Sequence, residues 1–316
     1  MKTLTKNEAA RWLLEHDNFA ILTHRRPDGD TLGSAAVLCR GLRQLGKIAH
    51  IVENKEITPK FAHLHENLTK KWPDDTDTLV SVDVASPNML SDAFRQFAGK
   101  IGLRIDHHET ATSFTDCELV EPHAGACAET VWDVLELMNV VLDKPMAQAL
   151  YTAVATDTGC FRFPNTTAHT YRTAAACADT GADLNTITRD IFETNSFRRL
   201  KIQSWITEHA QFLAGGQIAV VAIPLSVEQE IGVTEDDMEN ISNFPRTIEG
   251  VKIAVTIREK ANGTVKASVR AVPGYDAGAI CANFGGGGHT GAAGATMQMT
   301  LTEAAQAFIN AMPEME

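Results

Sequence analysis

The sequence predicts a two-domain α/β protein: an N-terminal doubly wound, mainly parallel sheet domain, a helical connection, and a smaller C-terminal α/β domain with a mixed or antiparallel sheet. Three observations carry this. Apolar runs of strand length alternate with helix-period segments through the first part of the chain, the pattern of a parallel sheet whose strands are joined by helical crossovers. After Asp190 the texture changes to alternating strands separated by turn signals such as Asn262-Gly263. The 316 residues also exceed what one hydrophobic core usually serves. The expected division is residues 1–190 for the first domain, 191–214 for a helical linker and 215–316 for the second domain.

The elements follow in order. Residues 1–15 form an amphipathic polar stretch with Leu4, Ala9, Trp12 and Leu13 at helical spacing. Residues 20–23 read as a strand, 33–45 as a helix with Ala36, Val37, Leu38, Leu42 and Leu45 on one side, and 48–52 as the next strand. Strands at 79–83 and 101–106 each end in an acid, with a helix expected over 88–97 between them. Residues 128–138 and 145–156 read as helices, the second opening with Pro145, whose missing N–H is harmless at a helix start. Asn165-Thr166-Thr167 caps a helix through Ala178 that Gly181 terminates. Residues 192–213 read as one long helix of mixed polarity, ended by Gly215-Gly216. Beyond it come strands at 218–223, 251–257 and 265–269 and helices at 276–284 and 301–312.

Composition narrows the function. A net charge of -12 and a pI near 5.4 argue against a protein that coats long nucleic acid, because that affinity comes from neutralising phosphates with Lys and Arg. A short nucleotide gripped by metals and one local basic pocket fits this charge. The six cysteines include no C-x-x-C pair, so neither a zinc knuckle nor a disulfide framework is indicated, and reduced thiols in a cytoplasmic protein are expected. Nowhere do ~18 apolar residues run together, so no signal peptide and no membrane span are expected.

Four clusters of Asp and His follow apolar runs in the first half: His24 with Asp28 and Asp30, then Asp83, then Asp106-His107-His108, then Asp157. Acids and imidazoles so placed can converge at the carboxyl edge of a parallel sheet, where such folds bind ligands. Asp28 and Asp30, two apart on a turning segment, can address different metal ions while His24 completes the first site. Carboxylate oxygen with imidazole suits Mn²⁺ or Mg²⁺ rather than a thiolate-bound metal. Taken singly, each acid is more often a cap or a solvated turn, so the weight lies in their company. Near the C-terminus, Gly285 to Gly288 lead into His289; backbone N–H groups at Gly286, Gly287 and Gly288 can form an anion nest to which His289 adds a contact. Ser268 and Arg270, two apart on a predicted strand, face one side, either as a phosphate or base contact or as the exposed polar face of an edge strand.

In its order of motifs the chain resembles the DHH phosphoesterase superfamily, whose name is the Asp106-His107-His108 triplet. T-H-R-R-P-D-G-D from Thr23, V-D at Asp83, T-D-T-G from Thr156 and G-G-G-G-H-x-x-A-A-G from Gly285 match its other motifs, over nearly the whole chain. The resemblance runs to the bacterial nano-RNase and pAp phosphatase group. It implies one ion held by His24, Asp28 and Asp83 and a second by Asp30, Asp83, His107 and Asp157, with Asp83 bridging, a water between the ions as nucleophile, and His108 beside the phosphate or leaving oxygen. It further implies two Mn²⁺, with Mg²⁺ as substitute, and short oligonucleotides, dinucleotides or pAp as substrates, spanning from the metals to a phosphate clamp on the second domain. A homodimer is expected from the same group. The rival readings are a phosphodiesterase of pApA or cyclic di-AMP and a non-catalytic nucleotide-binding protein. In the group Arg270 is usually followed by Ser; here Ala271 stands there, which removes an expected hydroxyl contact.

Overall fold

The computed structural model describes residues 2–74, 77–109 and 111–315. The chain divides into two compact units, Met1–Thr194 and Asn195–Glu316.

The first unit is built on seven strands: β1 (Lys2–Thr3), β2 (Phe19–Leu22), β3 (Ala49–Val52), β4 (Thr69–Lys70), β5 (Thr78–Val82), β6 (Leu103–Asp106) and β7 (Cys117–Val120). They form one sheet in the order β1-β7-β6-β5-β2-β3-β4 with every neighbouring pair parallel. Covered on both faces, β2 is an unbroken apolar run with all four residues buried, while β5 and β6 carry Ser81, Arg104 and Asp106 within apolar surroundings. Helices α1 (Lys6–Glu15), α2 (Gly29–Gln44), α3 (Cys127–Leu137), α4 (Lys144–Asp157), α5 (Ala168–Asp179) and α6 (Leu184–Thr188) complete the unit. The chain leaves β2 toward β3 and β4, then returns to β5 on the other side of β2. The carboxyl ends of β2 and β5 therefore flank a topological switch point, where residues 23–30 and Asp83 lie.

The second unit comprises α7 (Phe197–His209), β8 (Gln211–Leu213), β9 (Ile218–Ile223), α8 (Leu225–Ile231), β10 (Ile253–Glu259), β11 (Val265–Ala271), α9 (Ala277–Ala282), β12 (Gly287–His289), β13 (Ala292–Met297) and α10 (Leu301–Asn310). Its six-stranded sheet, in the order β12-β13-β11-β10-β9-β8, is mixed: β9 and β10 pair parallel and the other neighbours antiparallel. The α/β class and the mixed second sheet are those the sequence predicts. Among the described residues no helix is long and apolar enough to cross a membrane.

Several elements differ from expectation for local reasons. The helix expected over 88–97 is instead two 3₁₀ turns, Pro87–Met89 and Arg95–Lys100. Leu90 and Phe94, four apart, mimic a helical stripe, yet both are buried against the sheet face that carries Ala20, Leu22 and Val52 from within a loop. The single helix expected over 192–213 is interrupted. A π turn covers Arg189–Glu193, Ser196 caps α7 by accepting from the Arg199 N–H at 3.0 Å, and Gln211–Leu213 joins the sheet as β8. Helix α2 starts at Gly29, four residues ahead of the expected start, because Asp28 accepts from the N–H groups of Asp30 (3.0 Å) and Thr31 (3.2 Å).

Candidate metal centre

Three segments at the switch point and one helix end bring the predicted acids and imidazoles together. His24 leaves β2; its Nδ1 lies 2.7 Å from the Arg25 carbonyl, which can only accept, so Nδ1 carries the proton and the Nε2 lone pair is turned inward. Nε2 stands 3.6 Å from Asp28 Oδ1 and 3.4 Å from Asp83 Oδ2. His107 repeats the device. Its Nδ1 meets the Ala124 carbonyl at 3.1 Å, and its Nε2 faces Asp83 Oδ1 (3.5 Å), Asp157 Oδ2 (3.5 Å) and Asp30 Oδ2 (3.6 Å).

Asp83 is the pivot. It follows β5 with a left-handed backbone (φ 58°), is buried, and its Oδ1 has no hydrogen-bond partner among the described residues. A strained carboxylate with an orphaned buried oxygen is costly unless something compensates it. Asp30 is not on a turning loop, as the spacing suggested, but in the first turn of α2. There it accepts from Ser34 Oγ (3.1 Å) and from the N–H groups of Cys127 (2.6 Å) and Ala128 (3.1 Å) at the start of α3. A helix start favours its negative charge. Asp157 is the last residue of α4, so it reaches the cluster from a helix end while Asp83 and the His107 segment come from strand ends.

These atoms make three overlapping groups, His24/Asp28/Asp83, Asp30/His107/Asp157 and Asp83/His107/His108, whose ligand atoms in each lie within 4.8 Å of one another. The electrostatics of the cluster favour positive charge among the carboxylates. Burial opposes the His24 cation, yet the facing Asp28 and Asp83 carboxylates outweigh it and push the ring up to about 11. Burial likewise opposes His107, which its acidic neighbours lift to about 9. Burial raises the Asp157 carboxyl to about 7 with help from Asp83 and Asp28 and against His107. Burial and neighbouring carboxylates raise Asp30 and Asp83 as well. A protein-only centre would hold protons here; divalent cations relieve the same repulsion, and the oxygen-plus-imidazole donor set fits hard cations.

Asp106 belongs to a different layer. Fully buried at the end of β6, its Oδ1 accepts from the backbone N–H of His107 (2.8 Å) and from His108 Nδ1 (2.8 Å). That bond leaves His108 Nε2 facing outward, and the two imidazoles stand edge-on at 68°. Behind Asp106 lies Arg104, 1% exposed, 3.5 Å from Asp106 Oδ2, bonded to Glu118 at 2.6 Å and to the carbonyls of Ala85 (3.1 Å) and Thr112 (3.2 Å). Motif reading missed this support, although a lone arginine two residues before Asp106 in an apolar strand shares its face.

Ser268, Arg270 and the glycine-histidine segment lie in the second unit. On its sheet Ser268 pairs with Gly294, which pairs with Gly287, and Arg270 pairs with Ala292, which pairs with His289. Directly opposed residues share a face, so Ser268, Arg270 and His289 are brought to one side of the sheet. Arg270 Nε donates to Asn243 at 2.8 Å, which fixes the guanidinium. Gly287 and Gly288 belong to the hairpin strand β12 rather than to an open loop, and Gly285 and Gly286 lead into it. A Cβ at Gly286 would sit 2.3 Å from the Gly294 carbonyl oxygen, and one at Gly288 (φ 150°) 2.5 Å from that of Ala292, whereas Gly287 is open. Ala271 corrects an expectation: it is buried on the opposite face, in the apolar core with Ile253 and Val269, so a hydroxyl there would not point toward the Ser268 and Arg270 face.

A buried acid–imidazole cluster at the switch point of a parallel sheet, followed by a mixed-sheet unit, defines a phosphoesterase of two-unit α/β design. Residues 18–154 match the model of the DHH family, N-terminal domain, and residues 215–314 that of the DHHA1 domain. A Thermus thermophilus protein described as a bifunctional oligoribonuclease and PAP phosphatase NrnA is 33% identical over 93% of this chain and 89% of its own length. One of the same description from Mycoplasma genitalium is 27% identical over 93% of each chain. A cyclic-di-AMP phosphodiesterase GdpP from Geobacillus thermodenitrificans is 27% identical over 93% of this chain and 47% of that protein. The crystal structure of an exopolyphosphatase-related protein from Bacteroides fragilis superimposes with a TM-score of 0.87 at 22% identity, covering 97% of this chain and 94% of that one, and shows the shared fold. The chain belongs to the DHH family and is a phosphoesterase, an enzyme of the hydrolase class.

Proposed function

We propose that this protein hydrolyses short oligonucleotides to nucleoside monophosphates and removes one phosphate from pAp, using two divalent cations, in first place Mn²⁺. The observation that carries the reading is Asp83, whose Oδ2 faces His24 while its Oδ1 faces His107, so one carboxylate addresses two ion positions. One ion would be held by His24, Asp28 and Asp83, the other by Asp30, Asp83, His107 and Asp157. When bound, the cations activate a water and neutralise charge at phosphorus.

The remaining work falls to the chain's own side chains. Carbonyl-anchored Nδ1 atoms keep both ligand imidazoles aimed inward, so little reorganisation is needed as ligands bind. The hydrogen bond to Asp106 raises the His108 pKa against the effect of burial, and its Nε2, turned away from that bond, would donate to the leaving oxygen. Arg104, through Asp106, positions that ring. In this reading residues 1–190 are the catalytic domain and 215–316 the substrate-binding domain, with 191–214 joining them; Ser268, Arg270, His289 and the exposed backbone at Gly287 and Gly288 take a terminal phosphate, whereas the expected donor at Gly286 is already spent, its N–H bonding the Cys281 carbonyl at 3.0 Å. The relatives described as oligoribonuclease and PAP phosphatase support this substrate class, each aligning along about nine-tenths of its length; the cyclic-dinucleotide relative aligns along less than half of its own.

The test is product release from Mn²⁺-loaded protein offered a pentaribonucleotide, pAp, pApA and cyclic di-AMP in parallel, with Asp83→Asn as control. Turnover of the RNA and pAp is expected. Activity confined to pApA or the cyclic dinucleotide would replace this reading with second-messenger turnover.

A further inference from the structure

Beside the metal centre, within the first unit, lie two adjoining cavities that share Glu56, Ser91 and Asp92 in their walls. The larger, about 560 Å³, has mainly apolar walls and includes Trp72; the smaller, about 250 Å³, is lined by Arg25 and Arg26. We propose that together they form a nucleotide subsite, the base lying on Trp72 and its phosphate at Arg25 and Arg26, which takes the nucleotide next to the one being cleaved. This rests on the reading of the centre as a hydrolase of short oligonucleotides.

Three features of the chain argue for it. Trp72 is 45% exposed and meets Phe97 edge-on, with ring centroids 5.3 Å apart and planes at 62°, so the aromatic cluster supports it without covering it. A half-bare indole on a supported base is a stacking platform, and stacking accepts any nucleobase. Arg25, Arg26, Lys55 and Lys71, which line the two cavities, make no side-chain hydrogen bond or ion pair among the described residues, in a chain whose net charge is -12. Of the three acids in the walls, Glu53, Glu56 and Asp92, the last is already paired with Arg95 at 3.0 Å. An anion is the ligand those cations lack.

The subsite is also tied to the metal centre. Asn54, buried in the wall of the larger cavity, donates to the His24 carbonyl at 2.9 Å and to Thr23 Oγ1 at 3.3 Å. Arg25 directly follows His24, and its backbone N–H is held by the Met89 carbonyl at 2.6 Å. Arg26 keeps a left-handed backbone (φ 49°) in the bend that follows His24. An aromatic platform, unpaired cations and a rigid link to a phosphoester-cleaving centre together specify a nucleoside phosphate.

Two readouts test the proposal. The first is the ratio of KM for a pentaribonucleotide to KM for pAp, which has no second nucleoside. Trp72→Ala is expected to raise the ratio at least about fivefold, the low end for losing one stacked base, and Trp72→Phe to restore most of it. The double variant Lys55→Ser/Lys71→Ser, at exposed positions that leave the aromatic cluster whole, is expected to raise it as well. A wild-type ratio in all three overturns the subsite. The second readout needs no turnover: AMP should quench tryptophan fluorescence more in the wild type than in Trp72→Phe. Equal quenching overturns the subsite even if the RNA is cleaved, whereas unequal quenching with no cleavage would retain it and reject the oligonucleotide hydrolase.

Discussion

The acid–imidazole cluster of the first unit and the glycine hairpin of the second are built in opposite ways. The centre is buried and electrostatically strained: carboxylates at Asp30 and Asp83 are under 5% exposed, and Asp83 has a left-handed backbone and an orphaned oxygen. The hairpin is exposed along Gly287–His289; close approach to β13 dictates glycine at 286 and 288, while Gly287 is open. In the proposed reading, strain of the first kind would be relieved by a cation. Exposure of the second kind leaves Gly287, Gly288 and His289 open to solvent. Chemistry is thus expected to depend steeply on the first region and binding more gently on the second.

The steepest prediction concerns Asp83→Asn. Asparagine tolerates the left-handed backbone, so the fold should survive while both ion positions lose a shared oxygen. Phosphoester turnover should fall by about a thousandfold, ~4 kcal/mol, in a steady-state assay. The metal-free variant should also melt higher than the metal-free wild type, because one member of a repelling acid cluster is gone.

Arg104→Met asks whether the support is as demanding as the centre. It leaves Glu118 and Asp106 buried without their cation, and a loss of about 3–5 kcal/mol in urea unfolding is expected. A loss below 1 kcal/mol would mean that water reaches that layer.

A third test uses pH. Burial drives the His65 imidazole down from 6.5 to about 4, only partly opposed by its contact with the Leu32 carbonyl. The unfolded chain takes up that proton near pH 6.5 and the folded chain only near pH 4. Its contribution is therefore complete above pH 6.5 and lost as pH falls toward 4, about 3 kcal/mol in all. His65→Gln should flatten the unfolding free energy across that window.

The mildest change belongs to the hairpin: His289→Ala should raise KM for pAp roughly tenfold, the worth of one charged hydrogen bond, with kcat nearly kept. A collapse of kcat instead would place His289 in the chemistry and dissolve the contrast between the regions.

The contrast also explains what the sequence disclosed. Strand ends carrying His24, Asp83 and His107 were legible because a parallel strand is an apolar run and whatever polar group follows it stands at the sheet edge. Asp30 was placed on a loop because Gly29 and Gly33 hid the start of α2, and the cap by Asp28 became evident only from its bonds to Asp30 and Thr31. Arg104 and Glu118 escaped because a buried ion pair between adjacent strands leaves no periodic trace: each residue alone looks like a break in its strand. The helix expected over 88–97 failed because spacing reports which residues are buried and not the backbone that buries them. The hairpin of β12 and β13 was invisible for a related reason, since glycine has no side chain to alternate.

The central claim is that one carboxylate joins two ions. Metal-free protein titrated with Mn²⁺ and followed by electron paramagnetic resonance tests it most directly. Two ions per chain giving an exchange-coupled spectrum in the wild type, with the coupling lost in Asp83→Asn, is the predicted result; a single ion, or two uncoupled ions unaffected by the substitution, would contradict it.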